Sequence, residues 1–350
     1  MREGSDLTRV LVDCATPKNA LFFHPIIDEL KKRGCEVRVT TRVYAESIGV
    51  LERLGIEHHV LGKHGGETLQ GKLEAHIERL ECLTKFVKEF EPHVVVNLMN
   101  PESSRVAFAL NIPLMCFADI PEATHVAKLT IPLATKVFSP WIIPKKAFLK
   151  YGLELRQIYQ YHALDPVVWL RRHKVDENIL EKLGLEPSKP VIVFRSSETK
   201  AAYLHGYRDL TSEAMERFSK DKFQLINIPR YRSHKVIDTQ SLLAKCTVLI
   251  GGGGPMNCEA AYYGTPVIDR RAVDAYYMRF LRRMGLAVKA LTIDEIVKET
   301  EKAVRSGKNA EKARRVFGQM KFPLKEITEI ILEESKRTGW HGKLGRFNED

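Results

Sequence analysis

Short apolar runs alternate with longer stretches of helical periodicity along nearly the whole chain, and this alternation narrows the fold more than any other feature. The first run, Arg9–Val12, closes at Asp13. A helix follows the Thr16-Pro17-Lys18-Asn19 loop and runs to about Arg33, with Ala20, Phe23, Ile26, Ile27 and Leu30 at helical spacing and Gly34 as its stop. Further strands are predicted at Glu36–Thr41, His58–Leu61, Val94–Leu98, Leu114–Phe117 and Lys136–Phe138, with helices near 45–54, 69–90, 102–110 and 124–134 between them. Such repetition argues for an α/β fold around a doubly wound, parallel sheet covered on both faces.

Pro140, Pro144 and Lys145-Lys146 interrupt the pattern, Arg156–Tyr161 reads as a last short strand, and Asp165-Pro166 reads as a link. The alternation then restarts, with strands at Val191–Phe194, Gln224–Ile228, Val248–Ile250 and Val267–Ile268. Helices are expected near 177–183, 212–219, 240–245 and 275–284, and three more close the chain at 293–304, 310–320 and 324–336. A chain of 350 residues is long for one core and suits two. Two Rossmann-like domains facing across a cleft are therefore expected, residues 1–162 and 163–323.

Gly251-Gly252-Gly253-Gly254-Pro255 follows the Val248–Ile250 run and opens a short helix. Glycine lets the backbone come close to a bulky group, and Pro255 suits the first helical position, where no N–H is needed. Free N–H groups and the positive end of the helix then point into the loop, as an anion site requires. Glu259, about one turn in, is placed to accept two ribose hydroxyls. The loop lacks the Lys-Ser/Thr ending of a Walker loop and the G-x-G-x-x-G spacing of a dinucleotide fold. The plain alternative is a turn that permits tight strand–helix packing.

This segment resembles the nucleotide site of two-domain glycosyltransferases of the GT-B fold and of UDP-N-acetylglucosamine 2-epimerases. There a Gly-Gly loop, a helix and a Glu-Ala pair hold the diphosphate and ribose of a nucleotide sugar. The resemblance implies that Gly252, Gly253, Gly254, Met256, Asn257 and Glu259 bind the nucleotide sugar, with UDP as its carrier. Pro255 stands where relatives often have Thr or Ser. Over nearly the whole length the chain is also similar to an archaeal family of unassigned function (domain-of-unknown-function family 354). The match runs through Thr16–Phe23, Val39–Arg42, Leu61–Gly65 and the segment from Gly253 to Pro266. In the resembling fold the last helix returns to the first domain, which assigns 324–350 there.

Ligands of open parallel sheets lie beyond the carboxyl ends of the strands, so the residues just after each strand are the candidates. After the first strand these are Lys18 and Asn19, which a turn and helix cap would equally explain. His64 lies in a Lys-His-Gly-Gly loop, either as a substrate contact or as an exposed histidine. Asn97, near the end of the fourth strand, and Asn100, just after it, are what the chain offers where the epimerases keep an acidic residue. Asp119 and Glu122, with His125 nearby, follow the fifth; a buried or paired carboxylate there can act as general base or acid, and helix capping is the plain alternative. Arg195 and Arg230 end strands of the second domain and can grip diphosphate oxygens in bidentate fashion or form structural ion pairs.

The reading that combines these is a nucleotide-sugar glycosyltransferase, with UDP-sugar 2-epimerisation as the alternative. Neither needs a metal, and no cofactor beyond the nucleotide sugar is expected. Six cysteines are scattered singly, with no C-x-x-C pair or zinc spacing. Fifty-five Lys and Arg against 44 Asp and Glu give a net charge of +11. That charge fits a polyanionic or lipid-linked acceptor and keeps a nucleic-acid-binding protein open as another class. Trp141, Ile142, Ile143, Lys145, Lys146 and Phe148 join apolar and basic residues in one stretch, as peripheral membrane contact or an internal core segment would require. Without an apolar stretch long enough to span a bilayer or serve as a signal peptide, the expected location is cytoplasmic.

Overall fold

The apolar runs pair side by side in two sheets in the computed structural model, which describes residues 7–44, 46–196, 209–229, 237–270 and 274–336. The first sheet holds β1 (Arg9–Asp13), β2 (Glu36–Val43), β3 (His59–Lys63), β4 (Val94–Leu98), β5 (Leu114–Phe117), β6 (Lys136–Pro140) and β7 (Ile158–Tyr161), in the order β3-β2-β1-β4-β5-β6-β7. The second holds β8 (Val191–Arg195), β9 (Gln224–Ile228), β10 (Val248–Gly251), β11 (Val267–Asp269) and β12 (Ala287–Lys289), in the order β12-β11-β10-β8-β9. Pairing is parallel, as between β1 and β4 or β8 and β10. Both are α/β sheets of the doubly wound kind.

The chain divides into two units. Of the described residues, the first comprises those up to Ser139, Pro144–Tyr161 and those from Pro323; the second comprises Pro140–Ile143 and those in His162–Phe322. In the first, Phe22, Phe23 and Phe117 meet edge to face at centroid distances of 5.2–5.4 Å, and Phe138 stacks on Phe117 at 4.7 Å. Such rings, each wholly removed from water, are among the largest apolar contributions a core can contain. The helix Leu324–Lys336 packs on the helix Pro17–Lys32 and on β4, and Lys136 meets its Glu334 at 3.3 Å. In the second unit Ile192, Phe194, Val248, Ile250 and Ile268 form the core with Phe218 and Ile296.

Three local expectations change. The predicted helix 124–134 is a helix Thr124–Lys128 followed by a 3-10 turn Ile131–Leu133, because Pro132 has no N–H to continue an α-helical ladder. The supposed link at Asp165-Pro166 opens a buried helix, Pro166–Leu170, with proline at its first turn. Strand β12 is added at the edge beside β11, too short to show a period of its own.

In both sheets the strand order reverses direction once, between β1 and β4 and between β8 and β10. The connections on either side of such a point leave in opposite directions, opening a crevice above the carboxyl ends of those two strands.

Candidate functional site

At the reversal point of the second sheet, β10 ends in the glycine loop. Gly252 N–H still pairs with Arg195 O at 2.9 Å, the last rung between β10 and β8. The helix Gly254–Tyr262 then begins, with Gly253 as an extended N-cap that has no side chain to offer. Its first internal bond runs from Asn257 N–H to Gly253 O. The N–H groups of Gly253, Gly254 and Met256 have no partner among the described residues. A cluster of backbone donors at a helix N-terminus, beside a strand end, is suited to an anion.

Asn257 lies beneath this loop, wholly buried. Its Nδ2 donates to Gly251 O at 3.3 Å and to Asp269 Oδ1 at 3.2 Å. A Cβ on Gly251 would come within 1.7 Å of Asn257 Oδ1, so only glycine lets this amide reach the strand end. Asp269 is also held by Arg282 at 2.9 Å, and Asp274 pairs with the same arginine.

Glu259 is 3% exposed, and both of its donors, Trp169 Nε1 at 2.8 Å and Gln240 Nε2 at 3.3 Å, reach Oε1. Its Oε2 takes no hydrogen bond from the described residues. Burial pushes the carboxyl above its ordinary range, and the two hydrogen bonds with the charges of Arg195 and His173 offset only part of that. Arg195 stands at the end of β8, its guanidinium donating to Pro229 O at 2.9 Å. The glycines, Met256, Glu259 and Arg195 thus belong to one strand-end cluster, while Asn257 supports it from below. Arg230 lies outside the described residues. Trp169 and Gln240 escaped sequence reasoning; the Asp-Pro followed by Val167-Val168-Trp169-Leu170 is the helix-start signal that points to the first.

In the first unit a buried charge network fills the reversal point. Asp13 and Arg79 are wholly buried and meet at 2.6 Å, and Thr40 and Asn100 also donate to Asp13. Arg79 reaches Glu102 at 3.5 Å, as do Arg42 at 3.6 Å and His76 at 3.4 Å. Burial alone would raise the Glu102 carboxyl; the His76 hydrogen bond and the Arg42 and Arg79 charges instead bring it down to about 2. Asn97 donates to Ser103, Ser104 and Asn100 O. Asn97, within β4, thus braces the turn into the next helix, and Asn100, just after β4, braces Asp13. Arg79 had a signal in the sequence, because it occupies the apolar stripe Ala75, Leu83, Val87 and Phe90 of its helix.

Lys18 and Asp119 meet at 2.5 Å, tying the loop after β1 to the loop after β5. Asn19 is buried beside Lys18 in sequence, with Oδ1 unbonded among the described residues. Glu122 is half-buried in the same loop as Asp119. His64 lies apart from these, at the end of β3, two strands from β1 in the sheet order. There its ring lies 4.6 Å from Tyr44 and Nδ1 accepts from Gly66 N–H. Among the described residues no three His, Cys, Asp or Glu side chains gather as a metal set. No helix of the described residues is long and apolar enough to cross a membrane. Of the apolar residues between Trp141 and Phe148, Ile143 and Phe148 are buried and Trp141 packs on His162 and Phe280.

Residues 8–335 match the family described as protein of unknown function (DUF354). The chain belongs to that family. An uncharacterized protein of Methanocaldococcus jannaschii, MJ0665, is 28% identical over 279 residues, covering 74% of this chain and 81% of that protein. Among solved structures, the UDP-GlcNAc 2-epimerase from Neisseria meningitidis bound to UDP-GlcNAc is similar at a TM-score of 0.70 and 15% identity, over 94% of this chain and all of that one (100%). The M. jannaschii UDP-GlcNAc 2-epimerase in complex with UDP-GlcNAc and UDP gives 0.65 and 17%, over 88% and 98%. A glycosyltransferase from Streptomyces sp. SF2575, SsfS6, gives 0.56 and 13%, over 92% and 99%. At these identities the likeness is one of fold, and it places the DUF354 chain among GT-B-like proteins.

Proposed function

We propose that the chain is a nucleotide-sugar enzyme whose second unit binds the nucleoside diphosphate, with UDP as the first candidate. The observation that carries this reading is the combination of unpartnered N–H groups on Gly253, Gly254 and Met256 with a buried carboxylate, Glu259, that keeps one oxygen open. The N–H groups and the helix dipole take the phosphates, and Arg195 adds charge beside them. Glu259 Oε2 accepts the ribose hydroxyls. Negative charge that builds on the leaving diphosphate is met by donors already in place, so no reorganisation is needed during the reaction. The relatives that carry UDP-GlcNAc or UDP support the choice of ligand.

Transfer of the sugar to an acceptor is the reaction we favour. Glu102, the carboxylate after β4, is held ionised by Arg42, Arg79 and His76 at about 2, far from the working range of a general acid or base. Asn97 and Asn100 offer no carboxylate in its place. We assign proton transfer from the acceptor hydroxyl to Asp119 or Glu122, with Lys18 orienting Asp119. Epimerisation at C2 is the second reading, favoured by the fold likeness to the epimerases. Incubating the protein with UDP-GlcNAc and following the sugar by NMR separates them. Inversion at C2 without an acceptor supports epimerisation, and release of UDP only when an acceptor is supplied supports transfer.

A further inference from the structure

Between Glu122 and Glu154 the chain has no acidic residue, yet it carries Lys128, Lys136, Lys145, Lys146 and Lys150. Lys136 is turned to Glu334; the other lysines have no ion-pair partner among the described residues. Lys128 and Lys150 line a surface cavity of about 420 Å³ with Thr124, Pro132, Tyr151 and Gly152. The Tyr151 hydroxyl donates to Pro121 O at 2.6 Å, which pins one wall. Each of these lysines adjoins an exposed leucine: Leu129 is 55% exposed and Leu149 38%. Lys145 and Lys146 lie on the same short helical turn as Leu149. Lys150 Nζ lies over the Tyr151 ring, 4.9 Å from its centroid, and exposed leucines beside lysines without an ion-pair partner among the described residues combine an apolar foot with a positive field. At the far edge of the stretch Glu154 is neutralised by Arg156 at 2.7 Å.

We propose that this face of the first unit docks on an anionic lipid surface, with the cavity between Lys128 and Lys150 receiving one phosphate headgroup. Leu129 and Leu149 enter the headgroup boundary, and Lys145 and Lys146 add attraction from the side. Apolar burial and attraction to anionic lipid reinforce one another at such surfaces. Charge complementarity selects the occupant. A second exposed apolar row, Leu69, Leu73 and Ile77 on the helix Leu69–Phe90, is interleaved with Glu74 and Glu78 and lacks the positive field that an anionic surface requires.

The test is co-sedimentation of the full chain, without nucleotide, with vesicles of phosphatidylcholine alone or mixed with phosphatidylglycerol. Binding is expected only to the anionic vesicles and falls as salt shortens the screening length. Each Lys→Gln change at 128, 145, 146 or 150 weakens it about five-fold. The pair Lys128→Glu with Lys150→Glu abolishes it, Leu129→Ser with Leu149→Ser weakens it, and Lys128→Arg with Lys150→Arg keeps it. All are surface positions, and an unchanged thermal midpoint confirms that each variant is folded. Equal binding to neutral vesicles, binding to neither, or anionic binding untouched by the double glutamate variant overturns the proposal. So does binding of nucleic acid or inorganic phosphate at these lysines by a protein that ignores anionic vesicles.

Discussion

Trp169 Nε1 donates to Glu259 Oε1 at 2.8 Å, so a neutral indole from one helix holds a buried carboxylate on another. Among the described residues no salt bridge within 4.0 Å neutralises that carboxylate, and burial raises its pKa. A carboxyl kept in such a place, where a neutral side chain would be more stable, is a sign of use. The pH dependence follows. With a folded pKa above the unfolded one, this group's contribution is present below about pH 4.3 and is lost as pH rises through the folded value.

Glu259→Gln should therefore raise the thermal midpoint at pH 7 while weakening nucleotide binding roughly ten-fold or more, through the lost acceptor. The gain should vanish below about pH 4. Urea midpoints of both proteins across that range check it; a variant less stable than wild type at pH 7 would refute the account.

Glu102 works in the opposite sense. Its carboxyl, held at about 2, contributes stability above the ordinary glutamate range near pH ~4.3, lost as pH falls toward 2. Glu102→Gln should flatten the acid limb of the stability profile. Arg79→Met, which strips Asp13 and Glu102 of their shared cation, should cost about 3–5 kcal/mol in urea denaturation.

Gly251→Ala places a Cβ 1.7 Å from Asn257 Oδ1. The prediction is a loss of about 1–3 kcal/mol and of nucleotide binding together. Adding Asn257→Ala opens the space, so the double variant should be more stable than the sum of the single changes allows. Strict additivity would show that the amide does not set the loop.

For the pair at 2.5 Å, Lys18–Asp119, Asp119→Asn should lower turnover by about 10²–10⁴-fold if Asp119 is the base. Nucleotide affinity should stay near wild type. Lys18→Met should cause a smaller loss and shift the pH profile of turnover, because it orients the base. Equal losses of affinity and turnover in Asp119→Asn would assign the residue to binding.

Fold was legible because the central strands β4, β5, β8 and β10 are buried on both faces, which forces short, mostly apolar runs that stand out from amphipathic helices. The glycine loop was legible for a related reason: Gly251 tolerates no side chain, and proline at a helix start is an unambiguous mark. What the sequence hid were partners brought in from afar. Trp169 and Gln240 lie 90 and 19 residues from Glu259, and no local period reports such meetings. Arg79 is one charge among many on a long helix, and only its place in the apolar stripe sets it apart. The stretch around Trp141 divides: Lys145 and Lys146 are exposed, whereas Ile143 and Phe148 are buried. Apolar character alone does not separate a core segment from a surface foot, and Ile143 and Phe148 belong to the former.

The central claim is the nucleotide site of the second unit, and thermal stability with a panel of nucleotides and nucleotide sugars tests it most directly. UDP or a UDP-sugar at about 100 times its dissociation constant should add about 2.7 kcal/mol of stability. Gly253→Asp, which sets a carboxylate among the phosphate donors, and Glu259→Ala, which removes the ribose acceptor, should both abolish that shift. No shift with any nucleotide in a well-folded sample, or a shift that survives both substitutions, would contradict the account.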